Sequence, residues 1–398
     1  MIKLNTSNLC LIMPTFFFIN PRSIRIAKAL SKKGYVIDVI CFNDRSSKEE
    51  NYVEIKNVTV HSINIERKKN GKFRYFFEYL IFSFLSFLKF SKLFMKRRYN
   101  IVHVNNPPDT LVFVTLFHKI FFNIKVILDI SEPLSKSFSK KFSKESSFFL
   151  AMLDKIQLLA SKYSDCIITV SIAFKRELLR IGISEKKIHI LANSPDDTFF
   201  KPELEHTTKQ DIGFENRFIV LYQGSVSKER GIDRLIDAVN LLKVKIPNIL
   251  GLIAGGGGQI TELQCMIENL GLEKYIHLTG RLSPNEIPKF VACADVCTLM
   301  ALDIPVYRLY SPDKLFEYMT YKKIILAPKL DGIIDITGID GCYYYKAGDA
   351  DDMAKQIYKI YQENNHTEHI RRSQEIFQNY KWETAKLEML KCYNKLKK

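Results

Sequence analysis

The sequence predicts an α/β protein built from two Rossmann-like domains, each with a doubly wound parallel sheet. Two observations predict this class. Short apolar runs alternate with helical patterns from one end of the chain to the other, and the series restarts after a polar stretch beginning at Lys201. The length of 398 residues agrees, since a domain takes roughly 150 residues.

The first series predicts an N-terminal domain over residues 1–197. The run NLCLIMP is the first strand candidate, a helical pattern follows over residues 23–33, and Gly34 precedes the strand candidate YVIDVICF. Further candidates are NIVHVNN, KVILDI and DCIITVS, each followed by a polar loop and a helical stretch. Because these runs are apolar without alternation, we expect a parallel sheet covered on both faces.

The second series predicts a C-terminal domain over residues 217–375. The polar stretch KPELEHTTKQDIGFEN precedes it, and we expect an interdomain linker over residues 198–216. The strand candidates that follow are RFIVLYQG, ILGLIAG, YIHLTG, ADVCTLM, KKIILAP and CYYYKAG. Because doubly wound sheets bind ligands outside the carboxyl ends of their strands, we expect a binding cleft there.

The charge balance indicates an anionic partner. The chain carries 59 Lys and Arg against 43 Asp and Glu, a formal net charge of +16, together with 28 Phe and 19 Tyr. Nucleic acid, a membrane surface and a phosphorylated substrate all fit such a composition. No nucleic-acid-binding signature occurs, so we expect no nucleic-acid partner. The 46% hydrophobic and 26% charged residues exclude a disordered chain.

The eight cysteines predict buried thiols in a reducing compartment. Most lie inside apolar runs, and no CxxC pair occurs. Cys293 and Cys297 could share a helix face, but no second Cys or His pair accompanies them, so we expect no metal site. The apolar N-terminal stretch lacks a small-residue cleavage site and is interpreted as a buried strand, which predicts a cytoplasmic protein.

Two segments of the second half carry candidate phosphate-binding groups. The glycine turn at residues 255–258 is either a tight β-to-α turn or a set of backbone amides that approach a phosphate. In SPDKLFEYM, Ser-Pro-Asp predicts a helix start, and Lys314 lies one turn before Glu317. A lysine at such a helix start can hold a diphosphate, and a nearby carboxylate can accept two ribose hydroxyls. The alternative is an ordinary i,i+3 surface pair.

Taken together, these motifs resemble glycosyltransferase family 4. In the second half the resemblance runs through YQGSVSKERGIDRLIDA, LIAGGGG, IHLTGRLSPNEIPKFVACADV, SPDKLFEYMTYKKIILA and YKAGDADDMAKQI; in the first half it runs through INPRSIRIAKALSKKGYVIDVIC, YNIVHVNNPPD, KVILDI, SDCIITVS and NSPDD. The resemblance covers essentially the whole chain. It implies a GT-B fold, in which two Rossmann-like domains face a cleft, and a terminal helix over residues 376–398 that crosses back to the N-terminal domain.

The resemblance also implies a donor site in the C-terminal half. Arg230 matches the basic residue that neutralises the donor diphosphate, Lys314 fits the phosphate-side role, and Glu317 matches the carboxylate that holds the ribose. Arg281 and Leu282 match the loop beside the nucleobase. The remaining donor-binding candidates are Gly224, Ser225, Gly256 and Leu315. Fixed cations there would stabilise the leaving nucleoside diphosphate more than the ground state.

The chain departs from the family pattern at four places. Leu309 stands where many members carry the first of two glutamates, and Ser225 stands where many carry a second arginine. Ser131 and Glu132 replace a His-Asp pair whose histidine usually contacts the reacting sugar, and Lys136 replaces a downstream glutamate. We expect Ser131 and Glu132 to occupy the catalytic positions, with Glu132 in the polar role. The alternative is a weakened or inactive paralogue that acts as a binding or scaffold subunit.

The acceptor is expected to bind to the N-terminal domain. Asn20 and Arg22 lie on the first β-to-α turn, and Asn105, Asn106 and Asp109 lie at another strand end. For Arg22, lining the cleft and lying on a solvated helix face are equal alternatives. In retaining transfer of the family type, the leaving phosphate can accept the proton of the acceptor, so no dedicated base is implied.

A basic, aromatic segment over residues 66–98 predicts membrane contact. It holds ten Lys or Arg, eight Phe and two Glu, and its core YLIFSFLSFL is too short to span a bilayer. Such a helix suits the headgroup layer of an anionic membrane, and the alternative is a buried helix with solvated ends. A second basic cluster covers residues 135–146.

The sequence thus predicts a hexosyltransferase-type enzyme. It would move a sugar from a UDP- or GDP-type donor to a lipid-linked or polysaccharide acceptor in cell-surface glycan synthesis, such as that of lipopolysaccharide or capsule. It would need no cofactor beyond the nucleotide-sugar co-substrate and would lie peripherally on the inner face of the cell membrane. A nucleotide-sugar epimerase is a further alternative, although the motifs supply few acid or base groups for it.

Overall fold

The computed structural model describes residues 7–43, 54–65, 72–141, 147–195, 201–283 and 285–397. Residues 66–71 and 142–146 of the two basic segments and residues 198–200 of the expected linker lie outside this part of the chain. The chain divides into two compact units. The first comprises Met1–Val170, Phe174–Leu191 and Lys386–Lys398; the second comprises Ser171–Ala173 and Ala192–Ala385.

The first unit contains a seven-stranded parallel sheet. Its strands are β1 (Asn8–Met13), β2 (Val36–Phe42), β3 (Val58–Ile63), β4 (Ile101–Asn105), β5 (Lys125–Ile130), β6 (Cys166–Thr169) and β7 (Ile188–Ile190). Their order is β3-β2-β1-β4-β5-β6-β7, so the sheet grows outward in both directions from β1, as in a doubly wound fold. The helices between them are α1 (Pro21–Lys32), α2 (Lys72–Lys96), α3 (Leu116–Phe122), α4 (Leu134–Lys141), α5 (Ser147–Tyr163) and α6 (Ile172–Arg180).

The second unit contains a six-stranded parallel sheet. Its strands are β8 (Phe218–Gln223), β9 (Ile249–Ala254), β10 (Ile276–Gly280), β11 (Val296–Thr298), β12 (Ile324–Pro328) and β13 (Tyr343–Tyr345), in the order β10-β9-β8-β11-β12-β13. The helices are α7 (Asp233–Leu242), α8 (Ile260–Asn269), α9 (Ile287–Cys293), α10 (Asp313–Thr320), α11 (Asp331–Thr337), α12 (Ala350–Gln362), α13 (Thr367–Tyr380) and α14 (Trp382–Leu396).

Each face of this second sheet has its own hydrophobic core. Successive side chains of a strand point to opposite faces, and along β8 Ile219 and Leu221 join one buried cluster while Val220 and Tyr222 join the other. Helices therefore cover both faces, which explains why the strands are apolar without alternation. The predicted pair of doubly wound parallel sheets is confirmed.

Residues 201–216 belong to the second unit rather than forming a separate linker. Two short 3-10 turns, Pro202–His206 and Gln210–Ile212, lie in this stretch. Its few apolar side chains, Leu204, Ile212 and Phe214, pack against the core of the second sheet. Because the stretch is mostly polar, the packing of these three residues could not be predicted from the sequence.

The chain enters α14 in the second unit and ends in the first. From Lys386 onward the helix belongs to the first unit. The hydroxyl of Tyr393 forms a buried hydrogen bond of 2.5 Å with Nδ1 of His103 on β4, and Lys395 donates to the carbonyl of Lys186. The end of α14 is thus anchored to the first sheet by a polar contact as well as by burial.

The cysteines correct one sequence-based expectation. Cys166 on β6 and Cys392 on α14 form a disulfide within the first unit, whereas all eight had been expected as thiols. The two residues are 226 positions apart, so spacing gave no sign of the pair. Both sulfurs lie within 4.8 Å of a ring nitrogen of His189. Because the sulfurs are joined in the disulfide, they supply no thiolate for a metal ion.

Candidate functional site

Glycines allow two loops of the second unit to meet at the carboxyl end of the sheet. Gly224 follows β8 and Gly255 follows β9, and a Cβ added to Gly255 would lie 1.8 Å from the carbonyl oxygen of Gly224. A Cβ added to Gly257 would lie 2.0 Å from the carbonyl oxygen of Val226. Real atoms cannot approach so closely, so these glycines are required by backbone packing. This supports the tight-turn interpretation of the glycine run for Gly255 and Gly257.

Lys314 lies over this glycine turn. It belongs to the first turn of α10, and a Cβ added to Gly224 would lie 2.4 Å from its Cε and 3.1 Å from its Nζ. Its side chain is half-buried, and among the described residues it has no carboxylate partner. The N-terminus of a helix adds partial positive charge to that of the ammonium group. The position is therefore suited to an anion.

Glu317 lies one turn further along α10. Its carboxylate accepts a hydrogen bond from Nε2 of Gln223, the last residue of β8, and its side chain is only partly exposed. Gln223 is buried, and its Oε1 has no hydrogen-bond partner among the described residues. The structure thus brings together Lys314, Glu317 and the end of β8. Gln223 was not found from the sequence, because an amide at a strand end is an ordinary feature.

Arg230 is held by aromatic rings. Its guanidinium carbon lies 4.8 Å from the ring centroid of Tyr307 and 4.9 Å from that of Tyr310. Burial acts against its charge, but Tyr310, Tyr307 and Tyr222 raise the pKa of Arg230 above its ordinary value, so the side chain stays charged. No described carboxylate pairs with it. The two tyrosines were missed from the sequence, although YRLY places them three residues apart.

The other donor-side candidates lie around the same edge, with one exception. Ser225 is exposed next to Gly224, and its carbonyl accepts a hydrogen bond from the Tyr222 hydroxyl. A Cβ added to Gly256 would lie 3.3 Å from the Cβ of Arg281, which is itself exposed beside the half-buried Leu282. The exception is Leu315. Its side chain is fully buried in the core, and its N–H donates to the carbonyl of Pro312. Leu315 therefore packs α10 against the core.

Arg22 of the first unit forms a buried ion pair. Its Nε and Nη2 each lie 2.9 Å from a carboxylate oxygen of Asp129 on β5, and its Nη1 donates to the carbonyl of Leu191 at 2.7 Å. Although burial disfavours the charge of Asp129, the neighbouring guanidinium lowers the pKa of that carboxyl to about 2. The alternative of a solvated helix face is therefore wrong for Arg22, and the lining of an acceptor cleft stays a prediction.

Asn20 and Asn105 have local partners. The side chain of Asn20 accepts a hydrogen bond from the N–H of Ser23 and caps α1, which explains an asparagine at this position. Asn105, the last residue of β4, donates to the Ser23 hydroxyl at 3.4 Å, while its Oδ1 is buried without a hydrogen-bond partner among the described residues.

Asn106 ties together the loops that follow β4 and β5. Its Nδ2 donates to the carbonyl of Glu132 and to Oδ1 of Asp109, and its Oδ1 accepts from the N–H of Ser131. Four sequence-predicted residues are thus in one cluster. The side chain of Glu132 is exposed and accepts from the hydroxyl of Ser137.

Asp109 is the buried member of this cluster. It is fully buried, and burial raises its pKa to about 7, although the hydrogen bond from Asn106 acts in the opposite direction. Its Oδ2 has no hydrogen-bond partner among the described residues. At neutral pH the carboxyl group is therefore partly protonated.

An aromatic surface covers part of the first unit. Large apolar side chains are exposed along two helices: Phe76, Phe77, Leu80, Phe84, Leu88 and Met95 on α2, and Leu116, Phe117, Ile120, Phe121 and Phe122 on α3. The exposed α3 residues are 45–68% exposed, and they lie outside the basic segment over residues 66–98 that predicts membrane contact. Among the described helices, none has the length and apolarity needed to cross a bilayer.

Two doubly wound units, the second with cationic groups at the carboxyl end of its sheet, define the GT-B class of glycosyltransferases. The model of Glycosyltransferase Family 4 matches residues 22–199, and the model of Glycosyl transferases group 1 matches residues 205–376. The chain therefore belongs to the family 4 glycosyltransferases of the GT-B type, and the resemblance seen in the sequence is confirmed.

Individual proteins show the same likeness. A putative glycosyltransferase, EpsD of Bacillus subtilis (strain 168), is 27% identical over 208 residues, which span 50% of this chain and 52% of that protein. The chain thus matches about half the length of this relative. Among solved structures, Anabaena Alr3699/HepE in complex with UDP has a TM-score of 0.72 and 15% identity over 98% of this chain and 100% of that one. The lipopolysaccharide outer core galactosyltransferase WaaB has a TM-score of 0.66 and 13% identity over 98% and 99% of the two chains.

Proposed function

We propose that the chain transfers a sugar, with retention, from a UDP- or GDP-type donor to a lipid-linked or polysaccharide acceptor in cell-surface glycan synthesis. The observation that carries the proposal is the position of Lys314, over the Gly224 turn and one helical turn from Glu317. This juxtaposition offers a cation for a diphosphate and a carboxylate for ribose hydroxyls. The UDP bound in the HepE structure and the description of WaaB as a galactosyltransferase support the same proposal.

The cations would act on the leaving group. As the bond between the anomeric carbon and the diphosphate oxygen breaks, negative charge grows on that oxygen. Lys314 and Arg230 have no competing carboxylate among the described residues, so their charge is available to the diphosphate. Groups already fixed in place stabilise the developing charge without reorganisation.

The acceptor half of the reaction would take place on the first unit. The acceptor hydroxyl attacks the anomeric carbon, and its proton passes to the leaving phosphate oxygen, so no side-chain base and no metal or cofactor is invoked. Glu132 belongs to the pair that replaces the His-Asp pair of the family pattern, and its exposed carboxylate accepts a hydrogen bond from the Ser137 hydroxyl. In this position it would face the reacting sugar. Ser131 would take part through its backbone position, fixed by Asn106.

A transfer assay tests the proposal. Purified protein is incubated with UDP-, GDP- and TDP-sugars, and release of free sugar or of nucleoside diphosphate is followed with and without membrane extract. One donor should be consumed above background. The rival hypothesis of an inactive binding subunit is motivated by Ser131 and Leu309 in place of the family His and Glu. It predicts nucleotide binding without consumption of any donor.

We further propose that the first unit binds the cytoplasmic face of an anionic membrane. The exposed aromatic residues of α2 and α3 would supply apolar contact with the bilayer. Exposed cations on α2, such as Lys92 and Lys96, would attract lipid phosphates. Flotation with phosphatidylglycerol-containing vesicles at low salt should carry the protein upward. Lys92→Glu/Lys96→Glu should weaken it, and Lys274→Glu on the second unit should not. A protein that stays at the bottom at low salt contradicts this localisation.

A further inference from the structure

The first unit contains an apolar groove that the proposed donor and acceptor residues do not explain. It has a volume of about 80 Å³, more than a single water requires. Its walls come from α2, α4, α5 and the turn that follows β4, and they include Phe76, Leu80, Pro107, Leu134, Phe138 and Leu153. One of its few polar groups, the hydroxyl of Ser83, is already bonded to the carbonyl of Tyr79 within α2.

One end of the groove reaches the predicted acceptor residues. Pro107 and Pro108 line it, and they lie between Asn106 and Asp109 in the turn after β4. Leu134 lines it from α4, two residues after Glu132. A ligand in the groove would therefore place its adjoining group beside the cluster formed by Asn106, Asp109 and Glu132.

The groove also borders the aromatic surface. Phe76 and Leu80 line the groove and are also 63% and 50% exposed. Phe77 and Phe84 of the same helix continue this exposed apolar face. The groove thus connects polar residues at the strand ends with the surface that we assign to the membrane.

The wall chemistry selects the ligand. A sugar is recognised by convergent hydrogen-bonding groups, and these walls provide almost none. A hydrocarbon chain needs only apolar area, gains free energy by burial, and can continue from the groove into a bilayer. Exposed cations elsewhere on α2, such as Lys92, complement the anionic surface of the bilayer that such a chain would enter.

We propose that this groove holds the hydrocarbon chain of a lipid-phosphate-linked acceptor and thereby sets the acceptor class of the enzyme. The proposal rests on the transferase function proposed above and makes it more specific. The chain lies against α2 and the Pro107–Pro108 turn, and the glycan end lies beside Asn106 and Glu132. A free polysaccharide would leave the groove empty.

Equilibrium binding of radiolabelled farnesyl phosphate, kept below its micellar concentration and without vesicles, tests the groove directly. The protein should bind it saturably, and inorganic phosphate should not compete. Ser83→Trp places a large ring toward the groove and should weaken binding at least 10-fold. Leu80→Gln, at a half-exposed position that tolerates change, should weaken it several-fold. Leu88→Trp is the matched control, since Leu88 is exposed on the same helix outside the groove.

Each outcome decides between explanations. The proposal that the groove holds a hydrocarbon chain is overturned if binding is not saturable. It is also overturned if the Ser83→Trp and Leu88→Trp variants bind equally well. If the protein floats with vesicles but does not bind dissolved farnesyl phosphate, the groove proposal is also overturned, and only the proposed membrane contact of the first unit remains. Titration of UDP and GDP into the same samples distinguishes failure of the groove proposal from failure of the proposed transferase function. The proposed donor site lies in the second unit, so nucleotide binding there does not depend on the groove. Circular dichroism spectra and melting temperatures close to those of the native protein verify that the first unit of each variant is folded.

Discussion

A buried cation of the first unit and two cations of the second unit are satisfied in opposite ways. In the first unit Arg22 is buried against Asp129, with both carboxylate oxygens and a backbone carbonyl as partners. In the second unit Lys314 and Arg230 have no carboxylate partner among the described residues, and rings rather than anions hold Arg230. A satisfied buried pair organises a fold, whereas cations left without an anion are available to a ligand.

Their surfaces differ as well. The first unit exposes runs of aromatic and aliphatic side chains on α2 and α3, while the large apolar side chains exposed on the second unit, such as Leu241, Val244 and Ile339, are few among its described residues. Extended exposed apolar patches mark interaction sites, and scattered single residues do not. The difference supports the two roles proposed above, contact with lipid for the first unit and nucleotide binding for the second.

The largest predicted effect concerns the buried pair. Arg22→Met removes the guanidinium from the buried Asp129 carboxylate and leaves Nε2 of His103, 3.4 Å away, as a remaining side-chain neighbour. We expect the free energy of unfolding to fall by about 3–5 kcal/mol. Chemical denaturation measures this, with Lys32→Met on the exposed side of α1 as control. A loss similar to that of the control would mean that Arg22 is not structural, and the contrast between the units would fail.

Asp109 should make stability depend on pH. Its folded pKa of about 7 lies above the value near 3.9 of an unfolded chain, so the stabilising protonated form is fully present below pH 4 and lost as pH rises through 7. The loss reaches at most about 4 kcal/mol, from 1.36 kcal/mol for each pH unit. Asp109→Asn should therefore raise the melting temperature at pH 8 and leave it unchanged at pH 4. An equal shift at both pH values would refute the linkage.

Lys314→Met should weaken binding of nucleoside diphosphates. A hydrogen bond to a charged group contributes roughly 1.5–3 kcal/mol, so the Kd for UDP or GDP should rise about 10- to 100-fold, and the Kd for the monophosphate should rise less. Lys274→Met, an exposed lysine of the same unit, is the control. Equal losses for monophosphate and diphosphate would place the lysine away from the second phosphate.

The smallest effect is expected at the ring beside Arg230. Tyr310→Leu removes a cation–π contact of about 0.5–2 kcal/mol, so diphosphate affinity should fall by roughly 2- to 30-fold. Tyr310→Phe keeps the ring and should retain most of the affinity. If the Phe variant loses as much as the Leu variant, the hydroxyl rather than the ring positions Arg230.

Much of the fold could be predicted because apolar runs carry strong signals. The buried strands β1, β4, β5, β8, β9, β11 and β12 follow such runs, and the helix start at Asp313 follows from Ser-Pro-Asp. β3 was missed because it is partly exposed and short of continuous apolar residues. At the site, helical spacing placed Lys314 near Glu317. The Arg22–Asp129 pair joins residues 107 positions apart, and only the sheet order brings them together.

The division of roles between the units depends most directly on nucleotide binding by the second. The affinity for UDP and GDP is measured by isothermal titration of three proteins. These are the native protein, Glu317→Ala and the exposed control Glu273→Ala. The account predicts that the native and Glu273→Ala proteins bind one of the two nucleotides, and that Glu317→Ala binds it about 10- to 100-fold more weakly. Equal affinity of all three proteins, or no binding of either nucleotide by the native protein, would contradict it.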